Sequence, residues 1–244
     1  MQHFINRENI GIVFSKQVKA FENYQHIFLS NRLIESSYLS NKTGEITYIA
    51  PLYIYSDLAD DKSPNFDTQI LEKIEKSLGL KLGEGFDELN LFDYIYAQLH
   101  SPSYREKFKE FLKIDFPRVP FPADKERFFA LAEFGKKLRQ IHLLEEPSLE
   151  SRVIELRGED LEIKNRLTKK DVKINDDFAE VKLNETTSLV VPKVAWEFFI
   201  GGYQPAQKYL KDRVGLKLDR KILKHYNKMV NALMQTSEIM GKIG

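Results

Sequence analysis

The residues from Glu197 to Arg213 carry the clearest chemistry in this chain. Gly201-Gly202 close an apolar run, Ala195 to Ile200, and are followed by Tyr203, Gln204 and Pro205. Paired glycines let a backbone approach a partner closely. Proline at a first helical position marks a helix start. The amides exposed there favour anions such as phosphate. Lys208, Lys211 and Arg213 add positive charge within the next two turns. A carboxamide such as that of Gln204 can pair bidentately with adenine. A strand, turn and helix with a solvated basic face would have the same composition, so both readings stand on these residues alone.

A second constellation is Asp160 with Glu180-Val181-Lys182 in an extended run. An Asp and a neighbouring Glu-x-Lys can hold Mg2+ and position an attacking water, the pattern of a metal-dependent nuclease. Alternating Glu and Lys on a strand is also the ordinary pattern of a wet sheet face. Other signatures are missing. There is no phosphate-cradling Gly-x4-Gly-Lys-Ser/Thr, and Gly83-Glu84-Gly85 is an isolated pair in a polar stretch. There is no Gly-x-Ser-x-Gly elbow. His3, His26, His100, His142 and His225 are scattered, with no pair at helical ligand spacing, so each is expected at the surface or satisfied within the fold.

Composition bounds the rest. A chain of 244 residues is long enough to bury roughly 70% of its unfolded surface without staples. It has no cysteine, which excludes disulfides, thiolate zinc sites, iron–sulfur clusters and a cysteine nucleophile, and fits a reducing cytoplasm. No apolar run approaches the ~20 residues of a membrane span, and residues 1–10 have no signal-peptide pattern. The net charge of +1 hides a partition. Residues 57–100 carry −6 and 143–185 carry −4, whereas 101–142 carry +4 and 204–230 carry +6.

The elements that must position these residues read as α+β: a β-rich N-terminal part, a helical centre, a second antiparallel β block and C-terminal helices. Ile10 to Val13, Tyr24 to Leu29 and Ile46 to Tyr55 are extended runs, with Asn41 to Gly44 as a turn and residues 56–65 as an exposed loop. Ile70, Ile74 and Leu78 predict a helix ending at Gly79, and Leu89, Phe92, Ile95, Tyr96 and Leu99 a second. Ser103 is the expected N-cap of a helix to Leu112, and Asp124 that of a long helix through Leu144. Short β runs from Arg152 to Val191 suggest a meander, and Ala195 to Ile200 reads as a further strand. A last helix, Asp219 to Met240, carries Ile222, Tyr226, Met229, Leu233 and Met240 as its apolar stripe. Subdomains 1–146 and 147–244, or one intertwined domain, fit this pattern equally.

Two stretches together point to a family. His100-Ser101-Pro102-Ser103-Tyr104-Arg105 through Phe116-Pro117-Arg118-Val119-Pro120 resembles a segment of bacterial adenine-specific DNA methyltransferases, the large single-chain restriction–modification enzymes that include the type ISP group. Trp196-Glu197-Phe198, Gly201-Gly202-Tyr203-Gln204-Pro205 and Lys208-Tyr209-Leu210-Lys211-Asp212-Arg213 resemble the same family's C-terminal segment. The start is similar as well: Asn9 to Val13, Lys16-Gln17, Ser40 to Thr43, Thr47-Tyr48 and Pro51-Leu52-Tyr53. The family often has Trp at the position of Tyr209 and Arg at that of Lys16, and Val214-Gly215 loses one basic residue. The resemblance covers most of the chain and is weakest at 57–85 and 150–190.

The resemblance implies a target-recognition region, spanning 1–244, that selects the DNA sequence for a catalytic core outside this chain. The Asn/Asp-Pro-Pro-Tyr/Phe motif that holds a flipped adenine is missing, as no Pro-Pro dipeptide occurs. No cofactor is then expected here, S-adenosylmethionine belonging to the core, and Met1 is expected to mark a truncated gene or an expressed fragment. The implied partners are double-stranded DNA and the methyltransferase core, with no membrane, in the cytoplasm. Phosphate contacts are expected from Lys208, Lys211, Arg213, Lys217, Arg220, Lys221 and Lys224. Base or groove contacts are expected from Lys16, Gln17, Asn41, Lys42, Tyr203 and Gln204. A docking module that packs its 219–240 helix on the core is the second reading, and a nuclease using Asp160, Glu180 and Lys182 the third.

Overall fold

The computed structural model describes residues 2–19, 23–39, 45–56, 61–164 and 166–244. They form two compact units, residues 1–143 with 239–244, and residues 144–238. The architecture is α+β, with antiparallel strands in both units.

The first unit begins with an antiparallel sheet in the order β2-β1-β3, from β1 (Gly11–Ser15), β2 (Ile27–Ser30) and β3 (Thr47–Pro51). Val13 sits opposite Phe28 on one side and Ile49 on the other. A small ribbon pairs β4 (Tyr53–Tyr55) with β5 (Lys62–Pro64), so part of the expected 56–65 loop is strand. Five helices follow. Asp67 caps α1 (Thr68–Leu78) by accepting the Ile70 amide, and Gly79, at φ 63°, ends it in the left-handed region glycine favours. Asp87 and Asn90 form a reciprocal capping box on α2 (Glu88–His100).

The expected helix from Ser103 is two helices, α3 (Pro102–Lys107) and α4 (Lys109–Leu112), broken at Phe108. Its cap is Ser101, whose Oγ accepts the Tyr104 amide, because Pro102 takes the first helical position. The Ser103 hydroxyl donates instead to the Gly244 carbonyl. Asp124 caps α5 (Lys125–His142) as expected, accepting the Arg127 amide. Helices α2 and α5 pack so closely at Gly135 that a Cβ there would lie 1.8 Å from the Asp93 carbonyl oxygen. One turn along, buried Asp93 takes a bidentate grip from Arg139 at 2.7 and 2.9 Å.

The second unit is built on a four-stranded antiparallel sheet ordered β6-β9-β8-β7, from β6 (Glu155–Arg157), β7 (Val172–Ile174), β8 (Phe178–Lys182) and β9 (Ser188–Pro192). On β8 the burial alternates, with Ala179 and Val181 inside and Phe178 and Lys182 outside. Asn184 shapes the β8–β9 turn. Its Oδ1 accepts the Thr186 and Thr187 amides while its Nδ2 donates to the carbonyls of Asp160 and Glu162.

The run expected as a strand, Ala195 to Ile200, divides: its first half lies in a helix, α6 (Lys193–Glu197), and Ile200 makes only an isolated bridge to Tyr203. Neighbours Ala195 and Trp196 are both buried, which a one-face-in strand cannot satisfy. Two more helices complete the chain, α7 (Pro205–Lys211) and α8 (Arg220–Ile243). Tyr226, Val230 and Leu233 of α8 belong to the second unit's own core with Trp196, Leu210, Val181 and Leu189. The middle of the α8 apolar stripe is therefore consumed within this chain, against the reading that reserved it for docking on a separate core.

Candidate nucleic-acid interface

In the second unit the expected glycine turn is present. Ile200 and Tyr203 exchange backbone hydrogen bonds at 3.0 and 3.3 Å across Gly201-Gly202, and Gly201 has φ 56°. Tyr203 and Gln204 are half-buried at the entry to α7, and the Gln204 side chain makes no cap hydrogen bond. Gln207 donates to the Trp196 carbonyl at 3.1 Å, tying α7 to α6.

The cations of this surface divide by partner. Lys208 donates to Asp212 at 2.6 Å, and Lys211 to the Gln207 amide oxygen at 3.2 Å. The Arg213 guanidinium carbon lies over the Tyr209 ring, 3.4 Å from its centre, and the group donates to the Tyr209 carbonyl. Tyr209 also contacts the rings of His225 and Tyr226. Partial burial, then Arg213 and Lys228, push the His225 imidazole below its ordinary pKa, so its ring adds no charge here at neutral pH. Lys224 and Lys228 share Glu150, at 3.1 and 2.6 Å, and their hydrogen bonds hold its carboxyl below the usual range.

Lys217, Arg220 and Lys221 are exposed and make no side-chain hydrogen bond or ion pair among the described residues, although the Asp160 pKa is lowered by its Lys164 hydrogen bond and further by the charge of Lys217. They lie where the chain enters α8. The segment before it is fixed by backbone pairing: Gly215 donates to Ile163, Ile163 to Leu216, and Leu218 to Leu161. Gly215, at φ 80°, makes the bend possible. Asp219 caps the helix by accepting the Ile222 amide at 2.8 Å. Three unpaired cations thus stand at the positive end of a 24-residue helix.

In the first unit, Lys16 and Gln17 are exposed on the segment that leaves β1. With Lys19, Glu45 and Tyr48 they line a depression of about 210 Å3. The segment is pinned at two consecutive amides. Val18 donates to the Lys113 carbonyl at 3.0 Å, and Lys19 donates to the Glu45 carboxylate. Glu45 is buried and its other oxygen lies 3.4 Å from Nε2 of buried His26. Burial, opposed by Glu45, lowers the His26 pKa. Sequence reasoning missed this support, because nothing in the spacing of His26 and Glu45 marks them as partners. Asn41 and Lys42 lie outside the described residues.

The two carboxylates of the nuclease constellation are each engaged by neighbours of their own. Asp160 is paired with Lys164 at 2.7 Å, whereas Glu180 accepts from Ser188 at 2.7 Å and faces Arg157 at 3.6 Å. Among the described residues no three His, Cys, Asp or Glu side chains are grouped to hold a metal ion. The histidines are largely satisfied inside the fold. His3 accepts the Tyr55 amide, His100 is buried against the Tyr96 carbonyl, and His142 meets the Tyr96 hydroxyl. The Gly83-Glu84-Gly85 pair connects two helices, α1 and α2. No helix among the described residues is long and apolar enough to cross a membrane.

The family described as the Type ISP C-terminal specificity domain matches residues 1–242. A search of curated proteins gives no match. Among solved structures the fold is similar to that of DrdV in its complex with DNA (TM-score 0.74, 18% identity, covering 96% of this chain and 24% of that one). It is also similar to the ATP-dependent Type ISP restriction-modification enzyme LlaBIII bound to DNA (TM-score 0.70, 18% identity, 97% and 16%). A third is a nuclease-deletion mutant of the Type ISP enzyme LlaGI in complex with a DNA substrate mimic (TM-score 0.67, 20% identity, 98% and 21%). The chain therefore spans less than a quarter of the length of these structural relatives.

Proposed function

Because this chain belongs to the family of Type ISP C-terminal specificity domains, we propose that it recognises double-stranded DNA for a restriction–modification enzyme. The parent enzyme in this reading is a bacterial, cytoplasmic DNA adenine N6-methyltransferase. Its methyltransferase core is this domain's protein partner and binds S-adenosylmethionine. The observation that carries the reading is the trio Lys217, Arg220 and Lys221, unpaired at the entry to α8. Exposed cations at a helix N-terminus suit phosphate oxygens, which fix register without reading sequence.

Base readout in this proposal falls to side chains held on rigid supports. Gln204 sits at the start of α7, its Nε2 donating at 3.5 Å to the Glu197 carbonyl, and Gln17 sits on the segment pinned through Val18 and Lys19. The structural relatives support DNA as the partner, since all three are complexes with DNA or a DNA mimic.

The test is equilibrium binding of the 244-residue chain to duplex libraries, methylated and unmethylated, at two salt concentrations. Affinity is expected to fall steeply with salt, log K changing by about −0.9 per log salt for each phosphate neutralised. Salt-independent binding, or none, would overturn the reading.

A further inference from the structure

The first unit holds a cleft of about 400 Å3 that none of the proposed contacts uses. Its size falls within the roughly 300–1,000 Å3 typical of clefts that enclose small ligands. Ile12 of β1 and Phe92 and Leu99 of α2 are among its apolar lining. Its aromatic wall is Tyr48 of β3 and Phe116, whose rings meet edge to face at 5.1 Å and 84°. Phe14 lies nearly parallel to Tyr48, at 6.3 Å and 17°. Tyr48 and Phe116 remain 38% and 37% exposed, so this packing leaves part of each ring open.

Two polar features accompany the wall. The Lys16 ammonium lies 5.2 Å from the centre of the Phe116 ring. Asn65, which also lines the cleft, is held by its amide on the Leu52 carbonyl and by its Nδ2 on the Pro51 carbonyl at 2.9 Å. That leaves its carboxamide oxygen and one N–H without a partner among the described residues.

We propose that this cleft takes a single unstacked nucleobase of the bound DNA. A nucleobase is flat and aromatic, has a hydrogen-bonding edge, and is linked through its sugar to a phosphate. The cleft offers a counterpart to each: open aromatic surface at Tyr48 and Phe116, a free amide edge at Asn65, and a cation at Lys16. Stacking on aromatic side chains tolerates any base, because every base has a π face. Tyr48 also lines the depression that holds Lys16 and Gln17, so the cleft adjoins the segment assigned to base or groove contacts. The inference rests on the DNA reading above.

The test uses the full chain and three otherwise identical duplexes: fully paired, with one bulged adenine, and with an abasic site at the bulge. The abasic duplex has the same bend without the base. Pulling a paired base from the stack has its own cost, which the bulge removes. The bulged-adenine duplex is expected to bind about tenfold tighter than the abasic one, in line with the usual worth of one stacked base. Tyr48→Leu and Phe116→Leu, which keep apolar bulk and lose the π face, should erase that preference. Bulged 2-aminopurine should lose fluorescence on binding to the wild type, a readout independent of the variants. Equal affinity for the two bulges while paired DNA still binds would overturn the inference and leave the DNA reading standing. So would a preference that survives both substitutions, as binding by a protein-docking face would leave it, or 2-aminopurine that does not dim. Failure to bind any duplex would remove both.

Discussion

The buried carboxylate of Glu45 accepts the backbone amide of Lys19 at 2.5 Å, and so fixes the end of the segment that displays Lys16 and Gln17. The same carboxylate faces His26, whose imidazole is shifted toward its neutral form by burial. A buried carboxylate can thus set the geometry of an exposed cation-bearing segment without touching a ligand. Replacing it with alanine removes the acceptor from a part-buried amide, at a cost of about 1–3 kcal/mol. Glu45→Ala is expected to lower the urea midpoint and weaken DNA binding together. Glu45→Gln keeps an acceptor and should recover most of both. Wild-type DNA affinity in a folded Glu45→Ala protein would show that the segment does not need this support.

Gly135→Ala should be among the most damaging single-methyl additions in the first unit. The new Cβ would lie 1.8 Å from the Asp93 carbonyl oxygen, which is backbone and cannot rotate away. Helices α2 and α5 would have to separate, straining the Asp93–Arg139 pair beside the contact. Overpacking of this kind costs about 1–3 kcal/mol or more, read as a clear loss of thermal midpoint. Gly241→Ala, where a Cβ meets nothing, serves as the neutral control.

How far the fold was legible follows from which patterns are local. Ile74 and Leu78, or Phe128, Leu131, Leu138 and Ile141, repeat at helical spacing and are buried as read. Ala179 and Val181 alternate with polar neighbours and face the core. The misread segments depend on distant partners. Trp196 is drawn inside by the second unit's core, which turns an apparent strand into α6. Charge counting has the same blindness. Lys224 contributes to the +6 of residues 204–230, yet Glu150, outside that block, claims it. The buried His26–Glu45 contact was invisible because burial of a polar pair follows from packing, not periodicity.

Mild acid should destabilise the protein through its buried histidines. His100 is 3% exposed, and burial, then Arg105 and His142, hold its pKa well below the ordinary value. Arg105 itself is pushed down to about 10 by burial, and still presents positive charge to this cluster at neutral pH. The native state keeps His100 neutral while the unfolded chain takes up a proton near pH 6.5. Stability is therefore independent of this group above that pH and falls as pH drops below it, by about 1.4 kcal/mol per pH unit for each such histidine. Urea midpoints measured from pH 7.5 to 5 should decline below about 6.5. A flat profile there would mean His100 is protonated in the native state. Asp93, its pKa raised by burial against the pull of Arg139, acts in the opposite sense.

The pairing of cations in the second unit ranks them for DNA binding. Lys221 has no partner to give up, so it meets a phosphate at no internal loss. Lys224 must leave Glu150, which also holds Lys228. Lys221→Ala is expected to weaken duplex binding uniformly across sequences and to reduce the salt slope by close to 1, the mark of one lost phosphate contact. Lys217→Ala and Arg220→Ala should do the same, and the three together should add in the slope. Lys224→Ala should change the slope less, and Glu150→Gln should raise affinity by freeing two lysines. If Lys224→Ala instead matches Lys221→Ala while Glu150→Gln has no effect, the ion pair does not compete with DNA and this ranking fails.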